Sequence, residues 1–252
     1  MTDTTHTLAL AGRRALVTGA SRGIGAEIVR RLAADGAAVA FTYNSSPEPA
    51  EELAATLTAA GAKVVAIQAD AADAQAVAAA VDTAVAELGG LDILVNNAGV
   101  ASGALIEDFD LEEFDRIVNI NVRGVFATTK AAVPHLGAGG RIINIGSVNA
   151  ERVPVPAFSV YALSKAAVAG FTKGLARELG PRGITVNNIQ PGPIATDMNP
   201  AEGPLADQMT PLLAVGHYGQ TSDVAGAVAF LASPESGYIT GIALNVDGGF
   251  LI

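Results

Sequence analysis

The chain has 252 residues and a formal net charge of −10 at pH 7, and half of its residues are hydrophobic. This length suits one α/β domain. The excess of acidic residues argues against sequence-independent binding of nucleic acid, which needs a basic surface. The absence of cysteine and the three scattered histidines exclude a disulfide framework and a histidine metal cluster, so we expect no metal site and predict a cytoplasmic location.

Apolar runs and helical patterns alternate along the chain. Strands are predicted at residues 14–19, 37–43, 63–70, 92–99, 141–147, 184–192 and 242–249. Helices are predicted at about residues 24–35, 47–60, 73–88, 111–136, 159–180 and 222–231, and the long helix 111–136 has room for a bend. Strands without polar alternation are buried on both faces, which is typical of a parallel sheet. The pattern predicts a single-domain α/β Rossmann fold, with a doubly wound parallel sheet of about seven strands and helices on both faces.

The remaining segments complete this organisation. Residues 1–9 are predicted to be a flexible leader without the features of a signal peptide, and residues 10–252 a single domain. The Ala/Val-rich stretch 71–86 is interrupted by acidic residues at helical spacing, so it predicts a packed helix and not a membrane span. Residues 196–218 contain Pro, Gly and Met in an irregular order. Because ligands of such sheets bind at the carboxyl ends of the strands, this segment is predicted to cover the cleft as a lid.

A glycine-rich turn joins the first strand to the first helix. The sequence TGASRGIG at residues 18–25 has three glycines, which permit a tight turn, close backbone approach to a pyrophosphate and close helix packing. The helix N-terminus adds unpaired N–H groups and a positive dipole end. An ordinary turn also uses glycine, but the position between a strand and a helix favours dinucleotide binding. The predicted contacts are Gly19, Ser21, Arg22, Gly23, Ile24 and Gly25.

The residues after the second strand indicate which nicotinamide cofactor is bound. A site selective for NAD has an acidic residue here for the ribose 2′-hydroxyl, but this strand runs into Asn44 and Ser45, and the first acidic residue is Glu48. Arg22 can form a charge-assisted hydrogen bond with a 2′-phosphate, or it is simply a solvated surface charge. We predict NADP(H) as the cofactor, with Asn44 and Ser45 among its contacts.

A candidate catalytic group lies in the second half of the chain. Tyr161 and Lys165 are four residues apart on a predicted helix and therefore share a face. A free phenol has a pKa of about 10, and a nearby ammonium favours the phenolate, so we expect Lys165 to lower the pKa of Tyr161. Tyr161 could then protonate a carbonyl oxygen. A surface Tyr–Lys pair is the alternative, but Ser147 at the end of the preceding strand can hydrogen-bond the same oxygen.

These motifs, together with NNAG at residues 96–99, occur in the order found in the short-chain dehydrogenase/reductase family, which the chain resembles from about Leu10 to the C-terminus. The resemblance implies that Tyr161 donates or accepts the proton and that Ser147 holds the substrate oxygen. It implies that Lys165 binds the nicotinamide ribose and tunes Tyr161. It also implies that Asn121, in the sequence NINVRG, supports a water in a proton relay.

The same resemblance extends the cofactor site beyond the glycine-rich turn. Asp70, at the end of the third strand, matches the family residue that holds the adenine ring, and an N-cap for the following helix is the alternative. Tyr161 and Lys165 contact the cofactor as well as the substrate. The other implied cofactor contacts are Ala71, Asn97, Ala98, Gly99, Pro191, Gly192, Ile194 and Thr196.

The substrate is less well indicated. The overall resemblance is to 3-oxoacyl-acyl-carrier-protein reductases and related ketoreductases, whereas GSVNAERVPVP and QPGPIATDMNPAEGP are similar to the cyclic-di-GMP-binding biofilm dispersal mediator subgroup. We therefore predict a carbonyl reductase, with a nucleotide-binding regulator and an acyl-carrier-protein reductase as alternatives. The residues predicted to contact a small carbonyl or alcohol substrate are Ser147, Asn149, Val153 and Phe158.

Two surface features bear on partners. An acyl-carrier protein is acidic, so docking it requires basic residues, and Arg123 and Arg152 are the candidates. The family resemblance implies a homotetramer that pairs through the two long helices and the C-terminal strand. The apolar sequence GGFLI at residues 248–252 agrees with this, because exposing it would be costly.

Overall fold

A computed structural model of the chain describes residues 8–252 and contains a seven-stranded parallel sheet. The strand order is β3-β2-β1-β4-β5-β6-β7. The strands are β1 (Arg14–Val17), β2 (Ala38–Tyr43), β3 (Val64–Gln68), β4 (Leu91–Asn96), β5 (Leu136–Ile145), β6 (Thr185–Pro191) and β7 (Ala243–Val246). The chain builds outward from β1 to β3 and then crosses to β4 on the other side of β1. The predicted doubly wound parallel sheet is confirmed, and its crevice lies at this reversal.

Helices cover both faces of the sheet. They are α1 (Gly23–Ala34), α2 (Pro47–Ala59), α3 (Ala74–Leu88), α4 (Leu111–Val118), α5 (Val125–Ala132), α6 (Ser159–Leu179), α7 (Pro204–Met209) and α8 (Thr221–Ala232). One apolar layer joins α1 and α8 to the sheet, with Leu32 and Val228 fully buried. The opposite layer joins α3, α5 and α6, with Val81 and Ala132 fully buried. The apolar strands are thus buried on both faces, as their composition predicts.

The helix predicted over residues 111–136 is divided into several pieces. A π-helical segment, Asn119–Gly124, separates α4 from α5, and a 3₁₀ turn at Val133–His135 follows α5. Pro134 lies in that turn, where it has no N–H to continue an α-helix. Strand β5 consequently begins at Leu136, which pairs with Leu91, and not at Arg141 as the sequence pattern predicts.

The segment predicted to be irregular, residues 196–218, contains the short helix α7 and a 3₁₀ turn at Thr210–Leu212. Its buried side chains form a third apolar cluster with Val148 and Phe250, which also includes Ala206, Met209, Leu213 and Tyr218. The segment therefore has its own small core against the C-terminus.

The structure describes only the last two residues of the predicted leader, residues 1–9. Residues 1–7 of the predicted leader lie outside the described residues, whereas Leu8 and Ala9 begin a turn in which the Ala11 N–H donates to the Leu8 carbonyl (3.0 Å). Across residues 8–252, no helix combines the length and the apolar character needed to cross a lipid bilayer.

Candidate active site

A cleft of about 500 Å³ opens at the carboxyl ends of the strands. All of the residues predicted to contact the cofactor line it, including those that follow β1, β2, β3, β4 and β6. Ser147, Asn149 and Phe158 line the same cleft, as do Tyr161 and Lys165. The structure therefore brings the predicted cofactor residues together with Ser147, Tyr161 and Lys165 in one continuous space.

The glycine-rich turn is held in a conformation that excludes other residues. Gly19 and Gly23 have positive φ angles of 63° and 58°. A Cβ atom on Gly19 would lie 2.7 Å from the Ala98 Cα, and one on Gly25 would lie 2.5 Å from the Asn97 Nδ2. Asn97 braces the turn by donating from Nδ2 to the carbonyl oxygens of Thr18 (2.9 Å) and Gly19 (2.8 Å). These contacts keep the backbone flat against the cleft, which leaves room for a pyrophosphate.

The turn also delivers the N-terminus of α1 to the cleft. Helix α1 begins at Gly23, and its N-cap residue, Arg22, makes no side-chain capping hydrogen bond. The first N–H groups of the helix are therefore available to an anion. Arg22 is exposed and lines the cleft.

The loop after β2 forms the far end of the cleft. Asn44 and Ser45 line it together with Arg22, whereas Glu48 lies in the first turn of α2. The Gln68 side chain donates to the Asn44 carbonyl (3.0 Å) and fixes this loop to β3. The end of the cleft thus carries one cation and neutral donors, which suits a phosphate group.

Asp70 is positioned for the cleft and does not cap α3. Its Oδ1 accepts from the Ala72 N–H (2.9 Å), while Asp73 is the N-cap of α3 and accepts from Gln75 (2.8 Å) and Ala76 (3.2 Å). The N-cap alternative for Asp70 is therefore wrong. Asp70 lines the cleft and is exposed.

The candidate catalytic side chains meet where β5 ends and α6 begins. The Lys165 ammonium lies 5.6 Å from the centroid of the Tyr161 ring and donates to the Ile145 carbonyl (3.0 Å). Ser147, two residues beyond Ile145, accepts from the Asn149 N–H (3.1 Å), which fixes its rotamer. The helical spacing of Tyr161 and Lys165 and the end of β5 therefore place all three groups along one wall.

The protonation of Tyr161 differs from the expectation. Burial raises the pKa of the Tyr161 phenol, and a hydrogen bond with Ser147 opposes this rise without cancelling it. The nearby Lys165 ammonium, 5.6 Å from the centroid of the ring, does not reverse this rise, so the expected lowering of the Tyr161 pKa is not found. Burial lowers the pKa of Lys165 itself from 10.5 to about 8. Tyr161 is thus a protonated phenol at neutral pH, ready to donate.

Asn121 supports the site from behind. It lies in the π-helical segment, is 1% exposed and does not line the cleft. Its Nδ2 donates to the Val100 carbonyl (2.8 Å) and to Ser164 Oγ (3.0 Å), and its Oδ1 accepts from the Val100 N–H (2.8 Å). The side chain therefore ties the loop after β4 to α6, one residue away from Lys165.

Comparison with known proteins identifies the family of this chain. A family model described as enoyl-(acyl carrier protein) reductase matches residues 19–251. A short-chain dehydrogenase/reductase from Serratia marcescens is 56% identical, with a TM-score of 0.95 over 97% of this chain and 100% of that chain. The chain belongs to the short-chain dehydrogenase/reductase family. It is accordingly an oxidoreductase.

Two further relatives of this short-chain dehydrogenase/reductase bear on its function. A short-chain dehydrogenase from Burkholderia cenocepacia, solved in complex with NADP, is 52% identical, with a TM-score of 0.95, 97% of this chain covered and 100% of that one. The cyclic-di-GMP-binding biofilm dispersal mediator protein of Escherichia coli K12 is 45% identical over 242 residues, which cover 96% of this chain and 98% of that protein.

The substrate side of the short-chain dehydrogenase/reductase cleft departs from the sequence prediction at Val153. Val153 is 42% exposed and does not line the cleft, because Pro154 and Val155 on the same loop turn inward instead. Phe250 was not predicted there, since the C-terminal sequence GGFLI was interpreted as an intersubunit surface. It lines the cleft and is 1% exposed within its own chain.

Proposed function

We propose that this chain is an NADPH-dependent carbonyl reductase that converts a ketone reversibly into a secondary alcohol. The observation that carries the proposal is that Ser147, Tyr161 and Lys165 share one wall of the cleft that also contains the glycine-rich turn. Proton donor and cofactor site are therefore adjacent, as reduction of a carbonyl requires. The apolar side chains around Ser147 suit a small or medium hydrophobic ketone.

The residues of the cleft fit NADP(H). The glycine-rich turn presents backbone N–H groups and the end of α1, and Arg22, Asn44 and Ser45 supply donors for a 2′-phosphate. A Cβ atom on Gly19 would lie 2.7 Å from the Ala98 Cα, so the glycine there leaves space that a side chain would fill. When bound, NADPH supplies the hydride. The related dehydrogenase solved with NADP supports this assignment.

The chain's own groups handle the oxygen and the proton. The Ser147 hydroxyl holds the carbonyl oxygen with a hydrogen bond, which stabilises the negative charge that develops there. Tyr161 donates its phenolic proton to that oxygen. The Lys165 ammonium has three protons and uses one on Ile145, so it can hydrogen-bond ribose hydroxyls and stabilise the phenolate that Tyr161 leaves. Asn121 holds the surrounding backbone, and its role in a water relay stays a prediction.

The test is NADPH oxidation with a broad panel of ketones, β-ketoacyl thioesters and quinones. Tyr161→Phe should lower the rate with an accepted substrate by about 10²- to 10⁴-fold, because the ring and its packing remain but the proton donor is lost. Tyr238→Phe is the matched control, since Tyr238 is fully exposed, and it should keep the wild-type rate. Equal rates for Tyr161→Phe and the wild type would remove Tyr161 from the mechanism.

A nucleotide-binding regulator is the second candidate, and the 45% identity to the biofilm dispersal mediator protein favours it. On this hypothesis the wild type reduces no carbonyl compound, and Tyr161→Phe leaves cyclic-dinucleotide affinity intact. A regulator that only sequesters a ligand has no need of Ser147, Tyr161 and Lys165 together. We therefore prefer the enzyme, and calorimetric titration with cyclic di-GMP beside the ketone assay distinguishes the two.

Reduction of an acyl-carrier-protein thioester receives less support from the surface. Both arginines considered for docking are exposed, but the Arg152 guanidinium already donates to the carbonyl oxygen of the chain's own Phe250. With one of the two guanidiniums engaged in this way, the pair offers little complementarity to an acidic carrier protein. The thioesters in the panel test this alternative directly.

We also propose a homotetramer. Phe126 on α5 is 51% exposed, and its ring lies 6.0 Å from that of Phe171 on α6, so apolar surface is available on both helices. The C-terminal contribution is smaller than expected, because Phe250 is buried in its own chain and Ile252 remains exposed. A cytoplasmic location stays a prediction.

A further inference from the structure

The last residues of the chain form a turn that closes the substrate side of the cleft. We define residues 247–252 as the C-terminal strap. Asp247 organises it, because Oδ1 accepts from the Gly249 N–H (3.0 Å) and Oδ2 accepts from the Leu251 N–H (3.1 Å). Gly248 and Gly249 have φ angles of 59° and 79°, which the tight turn requires. The strap is therefore a built element and not a loose end.

The strap is attached to residues 196–218, the segment predicted to cover the cleft. The Val215 N–H donates to the Gly248 carbonyl (3.1 Å), and a Cβ atom on Gly249 would lie 2.6 Å from the Ala214 Cβ. Phe250 packs into the third apolar cluster with Val148, Met209 and other side chains, and both of these neighbours also line the cleft. Phe250 therefore lines the cleft in the same cluster as Val148, the residue that follows Ser147.

Arg152 contacts both the ring and the backbone of Phe250. Its guanidinium carbon lies 5.1 Å from the centroid of the Phe250 ring, and its Nη1 donates to the Phe250 carbonyl oxygen. Its own backbone N–H donates to the Val148 carbonyl (3.0 Å), so the arginine is anchored to the loop after β5. A guanidinium can stack on an aromatic face and donate in its plane at the same time, which a lysine ammonium cannot.

We propose that Phe250 determines how long an apolar substituent the substrate can carry, and that Arg152 is a positioning residue that holds Phe250 in place. This inference rests on the proposed function, since it assumes that the carbonyl group lies at Ser147 and Tyr161. An apolar chain directed away from Ser147 along Val148 then ends at the Phe250 ring. A carbonyl compound with a longer substituent must displace the ring or leave the site.

The probe is a series of phenyl n-alkyl ketones with alkyl chains of one to six carbons, titrated into the NADP⁺ complex by calorimetry. In the wild type the Kd should fall by about fourfold for each added methylene and then rise once the chain meets Phe250. In Phe250→Leu, which keeps an apolar side chain and the fold, the rise should come at least one methylene later. The same profile in both proteins would overturn the role of Phe250, and so would failure of every ketone to bind the wild type.

A second measurement tests Arg152 without relying on turnover. Hydrogen–deuterium exchange of the amides of residues 249–252 should be at least tenfold faster in Arg152→Met than in the wild type, and the length discrimination should shrink. Arg177→Met, which removes an exposed arginine from the outer end of α6, is the matched control and should change neither. Unchanged exchange in Arg152→Met would overturn the positioning role. Binding with the expected length profile but no NADPH oxidation would sink the proposed function alone.

Discussion

Lys165 offers a direct test of the electrostatics of the site. Its side chain is 5% exposed, and within the described part of the chain it forms no ion pair with a carboxylate. Burial lowers its pKa from 10.5 to about 8. That difference corresponds to about 3 kcal/mol of destabilisation when the folded protein must keep the ammonium charged.

The sign of the pH dependence follows from proton counting. Below pH 8 the lysine is charged in both states, and the folded protein carries the full cost. Between pH 8 and 10.5 the unfolded chain holds more protons than the folded one, so the free energy of unfolding rises with pH. The wild type should gain about 2 kcal/mol relative to Lys165→Met between pH 7 and 9.5, because the variant lacks this titration.

Urea unfolding of the cofactor-free proteins at one protein concentration, at pH 7, 8, 8.75 and 9.5, measures the effect. The difference at a single pH also contains the lost hydrogen bond to Ile145, so the change across pH is the decisive quantity. Lys173→Met, which removes an exposed lysine from the same helix, is the matched control and should not follow this course. A stability difference between wild type and Lys165→Met that stays constant from pH 7 to 9.5 would refute the reasoning.

Three other outcomes are expected. Arg22→Ala should raise the KM for NADPH by roughly 10- to 100-fold and leave that for NADH nearly unchanged, and steady-state kinetics in which wild type prefers NADH would contradict the cofactor assignment. Gly25→Ala should weaken NADPH binding and lower the free energy of unfolding by about 1–3 kcal/mol, because its Cβ would meet Asn97. Gly137→Ala is the control, since nothing lies within 4 Å of a Cβ atom there, and it should lower the free energy of unfolding measured in urea by less than about 0.5 kcal/mol. Sedimentation should find a tetramer at micromolar concentration that Phe126→Glu dissociates, and a stable wild-type monomer would exclude it.

The sequence predicts the sheet and the cofactor side of the cleft closely, and the reason is local. Apolar runs that are buried on both faces have few alternatives to a parallel strand, and the glycines of residues 18–25 are required by backbone geometry. Gly19 and Gly25 would each collide with the loop after β4 if they carried a side chain. Such constraints are visible in the residue types themselves.

The features that the sequence does not predict depend on distant contacts. The raised pKa of Tyr161 follows from the burial of the phenol, which its four-residue spacing from Lys165 cannot reveal. Phe250 is buried against Arg152, about 100 positions earlier, and against residues 196–218, about 40 positions earlier. Among the differences, the end of the helix near Pro134 had a local signal, namely the proline itself. The periodicity of the surrounding residues otherwise favours a continuous helix.

Different segments of the chain line the two sides of the cleft. The loops that follow β1 to β4 and β6 contain most of the predicted cofactor contacts, whereas residues 148–158, residues 205–213 and the C-terminal strap contribute to the side proposed for the substrate. Substrate preference can therefore be changed by exchanging these three segments together between homologues. The loops that bind the cofactor would stay unchanged. Exchanging either residues 148–158 or the C-terminal strap alone would separate Arg152 from its own Phe250, so chimeras should take these two segments from the same parent.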